Sequence, residues 1–551
     1  MVESARRIVI VGGVAGGMSC AARARRLDEG AEIVVLDRGE HVSFANCGLP
    51  YYVGGEITDP AKLLVQTPAS LRAALNLDVR TRHDVVGLDP RARTLTVDTP
   101  TGRESLSYDA LVLSPGAVAV RPPIAGLESP RVHTLRTVDD ALTVESRVND
   151  ARRAVVLGGG FIGLEAAEAL AGRGLAVTLV ELADHVLPPL EPELASLVTA
   201  ELKRLGIDVR DGVAANAIET GPAQDVVVLA DGSRIEADLI VLSVGVRPDT
   251  AVFERAGVAC ERGAIVTDDH GRTNLPGVWA VGDAVVSVDA ITGLRRPVAL
   301  AGPANRAGRQ VAEDILRPQT ATPIPQPLGT AIVRVGELTA ALTGASRATL
   351  LAQGIDHRTV HLHPNQHAGY FPGAAQLHLV IHFRTTDGLL LGAQAVGREG
   401  VDKRIDVLAT ALRYQRQHRR PGGSRPGLLP ALRQRQGSGE PGRDDRPEPA
   451  RRHPRPLVPV GGGGGDGVGA GAGRPQPRRV RHRAPAGRAQ HPAHRTAVPD
   501  RRGHRRGSGP SGAGDVRLRD AFLSRPPDAG RPRSRFRQPV RRHAHAARLS
   551  W

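Results

Sequence analysis

The residues best suited to chemistry lie in one stretch, Ser43-Phe44-Ala45-Asn46-Cys47-Gly48-Leu49-Pro50-Tyr51-Tyr52. It holds one cysteine. The chain has only two others, Cys20 and Cys260, neither of them close in sequence. A thiolate attacks disulfide sulfur. With no second protein sulfur at hand, Cys47 points to thiol redox chemistry in which a small external thiol supplies the other half of the disulfide. Asn46, Gly48 and Pro50 read as turn residues, which places the thiol on a loop or at a helix start. A helix N-terminus there, or a redox cofactor bound nearby, lowers a thiol pKa. A free cysteine is more often a buried apolar filler. That reading fits Cys20, inside a helical run, and Cys260, outside any motif.

The elements that feed this thiol flank it. Ile8 to Val11 is a continuous apolar run, as in a parallel strand buried on both faces. It leads into Gly12-Gly13-Val14-Ala15-Gly16-Gly17, then a helix from Met18 to Leu27, then a strand from Ile33 to Leu36 ending at Asp37. This order is a dinucleotide fingerprint. Gly12 permits the tight turn, Gly17 lets helix and strand approach, and Asp37 accepts from a ribose hydroxyl. Val14 stands where a second glycine is usual, so this match alone is imperfect. The pattern returns with strand Ala154 to Leu157, the full Gly158-Gly159-Gly160-Phe161-Ile162-Gly163, a helix from Leu164 to Gly174, and strand Val177 to Val180 ending at Glu181. Glu181 suits a 2′-hydroxyl and repels a 2′-phosphate, and Leu182 and Ala183 offer no arginine, which favours NADH over NADPH. Later, Val281-Gly282-Asp283 puts a carboxylate at a strand end. It suits a polyol chain or, equally, a simple turn.

The 551 residues predict about three or four domains. A hydrophobic share of 41% is enough to build cores. The formal charge of +16 is unevenly spread. From Arg413 onward there are 33 arginines, no lysine and 9 acidic residues, a net of +24; the other 40 basic and 48 acidic residues leave the body at −8. Nothing in that acidic body suggests nucleic acid, and no metal is called for. Few cysteines fit a reducing cytoplasm. No run is long enough to span a membrane, and the immediate entry into a strand argues against a signal peptide.

Together these motifs resemble the FAD- and NAD(P)-dependent pyridine nucleotide-disulfide oxidoreductases. Ser43 to Tyr51 resembles the subgroup of coenzyme A-disulfide reductases, single-cysteine NADH oxidases and persulfide reductases. His367-Ala368-Gly369-Tyr370-Phe371-Pro372-Gly373 and Gly397 to Leu408 resemble its dimerisation domain. The resemblance implies an α/β architecture: a split FAD domain (1–149 and 246–325), an inserted NAD(P)H domain (150–245), both Rossmann-like, and an α+β dimerisation domain (328–412) with a strand from Leu377 to Phe383. It implies that Gly12, Gly16, Gly17, Asp37, Arg38, Gly282, Asp283 and Ala301 hold FAD, with the Ala301–Arg306 turn near the flavin. Gly158, Gly160, Gly163, Glu165, Glu181 and Gly245 line the NADH (or NADPH) site. Hydride then passes through FAD to a mixed disulfide of Cys47 with coenzyme A, with a persulfide as a related substrate and oxygen, through a Cys47 sulfenate, as the alternative acceptor. Ser43 and Asn46 position the thiol. Tyr370 donates a proton across a homodimer, or simply packs at its seam. Arg25 and Arg26 meet the coenzyme A phosphates, or form a solvated helix face.

After Leu412 the composition turns to Arg, Gly, Pro, Ala and His without hydrophobic period. Such a segment reads as a disordered basic tail. A second reading is a shifted frame in a GC-rich gene. Residues 420–437, read one base later with permitted codons, can give D-L-A-D-L-D-L-A-Y-S-P-P-Y-G-S-A-K-D, which resembles what this family carries after its dimerisation signature. Residues 478–494, shifted alike, can resemble a rhodanese domain, although no rhodanese cysteine motif emerges. A shifted frame removes the family's second active-site tyrosine and so predicts FAD binding with poor turnover.

Overall fold

The computed structural model describes residues 6–417, with side chains to residue 415. The disordered or frameshifted tail expected from 413 lies, beyond Gln417, outside the described residues. The last described helix, Val401–Gln417, runs past the expected boundary at 412, and Arg413 donates to the Gln326 carbonyl at 2.8 Å.

Two parallel five-stranded sheets carry the two fingerprints. The first has the spatial order Val278–Ala280, Ala110–Leu113, Arg7–Val11, Glu32–Leu36, Asp78–Arg80. The second runs Asp208–Arg210, Ala176–Val180, Arg153–Leu157, Leu239–Leu242, Val132–His133. Their central strands are apolar on both faces because one face is covered by helices and the other by a three-stranded antiparallel sheet (Asp84–Asp89, Thr94–Thr99 and Gly102–Ser107 on the first; Ala215–Glu219, Asp225–Leu229 and Arg234–Ala237 on the second): Ile8, Val9, Ile10, Val155 and Val156 are fully buried. The chain crosses between the sheets on a short antiparallel pair, Ala117–Ala119 with Val246–Pro248. The inserted domain therefore recruits Val132–His133 as an edge strand, from a segment expected to belong to the preceding domain.

A third sheet is antiparallel, in the order Ala331–Val335, Leu338–Gly344, Leu390–Gly397, Leu377–Arg384, His357–Leu362. The helix Val401–Gln417 packs on it through Val401, Ile405 and Leu408. This is the expected α+β domain, including the strand begun at Leu377. A buried network ties it to the second nucleotide domain. His382 Nε2 lies 3.1 Å from Glu191 Oε1, and Gln394 accepts from the Glu191 N–H at 2.6 Å.

Candidate active site

Each glycine turn is shaped by contacts that leave no room for a side chain. Gly12 has φ +96° and Gly158 φ +103°. A Cβ on Gly12 would sit 1.9 Å from the Ser114 carbonyl oxygen, and one on Gly158 2.5 Å from that of Ser243. A Cβ on Gly17 would fall 1.9 Å from the Gly12 oxygen, and one on Gly163 1.8 Å from the Gly158 oxygen. This is the close helix–strand approach that the fingerprint requires. Gly16 serves helix packing as well: a Cβ on Gly308 of the helix Ala301–Leu316 would fall 2.2 Å from its carbonyl oxygen. That helix replaces the turn expected at Ala301–Arg306.

The terminal acids organise the turns. Asp37 accepts from Gly13 N–H at 2.7 Å and Gly39 N–H at 2.8 Å. Glu181 accepts from Gly159 N–H at 2.5 Å and Ala183 N–H at 2.8 Å. Each carboxylate oxygen takes one bond and keeps capacity for a ribose hydroxyl. Arg38 pairs with Asp249. Both fingerprint helices start without a side-chain cap or an acid in the first turn, and a Cβ at Gly160 would meet nothing within 4 Å. Orphan N–H groups facing open space suit a pyrophosphate. Gly245, at φ +113°, and Gly282, at φ +86°, lie at turns after the strands Leu239–Leu242 and Val278–Ala280. The residues present thus fit two dinucleotides.

Cys47 lies in a one-turn 3-10 segment, Asn46–Gly48, that leads into the short helix Leu49–Val53, and it is exposed. Its loop is pinned just before the thiol. Ser43 N–H donates to the Gly13 carbonyl at 2.8 Å, and Ala45 N–H to the Leu63 carbonyl at 2.8 Å. Asn46 Nδ2 reaches the Arg136 carbonyl at 3.4 Å, and the Arg136 guanidinium lies 3.6 Å from Asp283. The thiol loop, the connector and the strand-end carboxylate therefore meet. Burial pushes Asp283 up, against the pull of Arg136.

The electrostatics of Cys47 differ from expectation. The protein raises this thiol: partial burial acts first, then the negative charge of Glu165, and only the backbone N–H of Cys47 itself opposes them. The short helix after Cys47 therefore does not lower this thiol, and the protein's own groups raise it. Glu165, on the second fingerprint helix Phe161–Gly172, is itself pushed up to about 7 by burial. The Tyr51 hydroxyl lies 3.4 Å from it.

Arg25 departs from its expected place at the substrate. Its guanidinium is buried and donates to four carbonyls: Leu75 at 2.9 Å, Asp28 at 3.2 Å, Glu29 at 2.6 Å and Asn76 at 3.0 Å. It closes the end of the helix Pro68–Leu75 and is spent. Arg26 is exposed. Tyr370, 92% exposed, sits between the strands His357–Leu362 and Leu377–Arg384. Sequence reasoning missed Arg136, and it passed over Tyr51 although that residue lies inside the thiol motif.

Comparison with known proteins decides the family. The pattern of the pyridine nucleotide-disulphide oxidoreductases matches residues 6–308. The chain belongs to this family. It is accordingly an oxidoreductase built around FAD and a pyridine nucleotide. It is 34% identical over 412 residues to the coenzyme A disulfide reductase of Staphylococcus haemolyticus, covering 74% of this chain and 91% of that one. The crystal structure of reduced Bacillus anthracis CoADR-RHD superposes with a TM-score of 0.73 at 41% identity, covering 74% of each chain. The NAD-dependent persulfide reductase from A. fulgidus gives a TM-score of 0.72 at 34% identity, covering 74% of this chain and 77% of that one.

Proposed function

We propose that this oxidoreductase uses NADH to reduce a disulfide or persulfide of the coenzyme A type, with Cys47 as the sole protein sulfur in the reaction. The observation that carries this reading is an exposed thiol, without a partner sulfur, held among residues of two dinucleotide cradles. Cys20 is buried and pushed up to about 12, so it stays a thiol. The relatives named for coenzyme A disulfide and persulfide reduction support the choice of acceptor.

Gly12, Gly17, Asp37, Gly282 and Asp283 would hold FAD, which would supply a two-electron relay from nicotinamide to sulfur. The second cradle, about Gly158, Gly160, Gly163 and Glu181, orients NADH. Cys47 thiolate attacks the substrate disulfide, forms a mixed disulfide and releases one coenzyme A thiolate. Two electrons and a proton then split the mixed disulfide into Cys47 thiolate and a second free thiol. Ser43 and Asn46 hold the loop during the exchange. Arg26 is exposed whereas Arg25 is consumed by carbonyls, which supports Arg26 as the residue that meets the substrate phosphates. In a homodimer formed through the third domain, exposed Tyr370 donates a proton to the leaving sulfur of the neighbouring protomer. Among the described residues no helix is long and apolar enough to cross a membrane.

Cys47→Ser in the FAD-loaded protein tests the reading. Coenzyme A disulfide-dependent NADH consumption and thiol release should fall to background while flavin stays bound. Unchanged disulfide-dependent consumption refutes it. Oxygen uptake in place of thiol release in the unaltered protein assigns oxygen as the acceptor.

A further inference from the structure

Glu165 lies near enough to Cys47 for its negative charge to act on the thiol, and the groups around Glu165 come from several elements. Tyr51, on the short helix after the thiol, lies 3.4 Å from its Oε1. Glu168 stands one turn further along the same helix. Arg334, on the strand Ala331–Val335 of the third domain, lies over the Tyr51 ring at 5.0 Å from the centroid. Its guanidinium also pairs with Glu56 and stands 3.7 Å from Glu168. A cation stacked on an aromatic face and tied at two carboxylates fixes the ring beneath it.

We propose that Arg334 is a positioning residue that sets the charge state of the carboxyl beside the redox thiol, through the Tyr51 ring and its own charge. The third domain thereby reaches the active site from within the same chain. This inference rests on Cys47 being the redox sulfur. Its direction follows from the signs of the charges. Both the Arg334 charge and the Tyr51 hydroxyl favour the carboxylate of Glu165, against burial and against Glu168. Removing either moves the Glu165 midpoint upward from about 7. The ionised carboxylate opposes the Cys47 thiolate, so protonating Glu165 eases ionisation of the thiol.

The test is the pH dependence of Cys47 alkylation by iodoacetamide, mapped by peptide mass, in FAD-loaded, NADH-reduced protein. The unaltered protein should show an inflection near pH 7 besides that of the thiol. Arg334→Met and Tyr51→Phe should each raise that inflection by about half a pH unit. Arg334→Lys, which keeps stem and charge, should move it less, and Glu165→Gln should abolish it. Retained flavin absorbance shows that each variant is folded. An inflection that Arg334→Met leaves in place or lowers, or that persists in Glu165→Gln, overturns the inference. A Cys47 that resists alkylation throughout overturns the functional reading beneath it.

Discussion

Replacing Arg25 separates a structural arginine from a substrate-binding one. Its four bonds end on carbonyls at two places: two at the close of the helix Pro68–Leu75 and two in the turn after its own helix. Helix ends leave carbonyls without intrahelical partners, and a guanidinium fork can serve several at once. A bond from a charged donor contributes about 1.5–3 kcal/mol when both partners are well buried. Here Glu29 and Asn76 sit on turns where water can take over. Counting about 1 kcal/mol for each bond gives about 4 kcal/mol for Arg25→Met, which keeps the apolar stem. The measurement is thermal unfolding of FAD-loaded protein, with an expected drop of about 5 °C. Michaelis constants for coenzyme A disulfide should hold in the surviving fraction. Arg26→Ala should do the reverse, leaving stability alone and raising that constant by about tenfold. Unchanged stability with a raised constant in Arg25→Met would return Arg25 to the substrate and refute the reasoning.

Gly17→Ala should cost at least about tenfold in FAD affinity, because its Cβ would meet a backbone oxygen at 1.9 Å that cannot swing away; Gly172→Ala, with nothing within 4 Å, is the control, and flavin retained by both variants would contradict the steric account. Glu181→Ala should raise the NADPH-to-NADH ratio of kcat/KM by about tenfold, the worth of one close like-charge contact at the surface. NADH use itself should weaken, since Glu181 also holds the Gly159 and Ala183 N–H groups. Sequencing the gene across the codons for residues 411–417 tests the shifted frame, and an uninterrupted frame ends that proposal.

The fingerprints were legible because strand, glycine turn, helix and terminal acid recur in fixed order, and each part has a steric or hydrogen-bonding reason. The strand Val132–His133 was not, because two residues carry no period. The Ala301–Leu316 helix was mistaken for a turn at its start, where Gly302 and Pro303 read as breakers; proline is compatible with a first helical turn. Arg25 misled for a different reason. Its place in the last turn of a helix suggests a solvated cation, and only the fold brings Leu75 and Asn76 within its reach. The link from Arg334 to Tyr51 and Glu165 crosses domains, so neither spacing nor residue type announces it.

The two cradles also separate the features of the thiol loop that belong to scaffold from those that belong to chemistry. Ser43 holds φ +48°, a left-handed conformation that costs a non-glycine residue of order 1 kcal/mol or more. Beside a redox cysteine, such strain invites a catalytic explanation. Yet Leu187 holds φ +50° at the matching place in the second cradle, where there is no thiol. Ser43 N–H bonds the Gly13 carbonyl at 2.8 Å, and Leu187 N–H bonds the Gly159 carbonyl at the same distance. Gly12 and Gly158 N–H groups likewise reach the ends of their neighbouring strands, Leu36 and Val180, each at 2.8 Å. The strained residue is thus the clasp that closes each glycine turn. The two cradles part company only beyond that clasp. Four residues after Ser43 the chain offers a sulfur, whereas after Leu187 it turns into Pro188-Pro189 and the helix Pro192–Arg204. On the proposed reading, chemistry sits on a loop whose conformation the nucleotide fold already enforces. Ser43→Gly should therefore relax backbone strain with little loss of flavin, while Cys47 carries the redox activity alone.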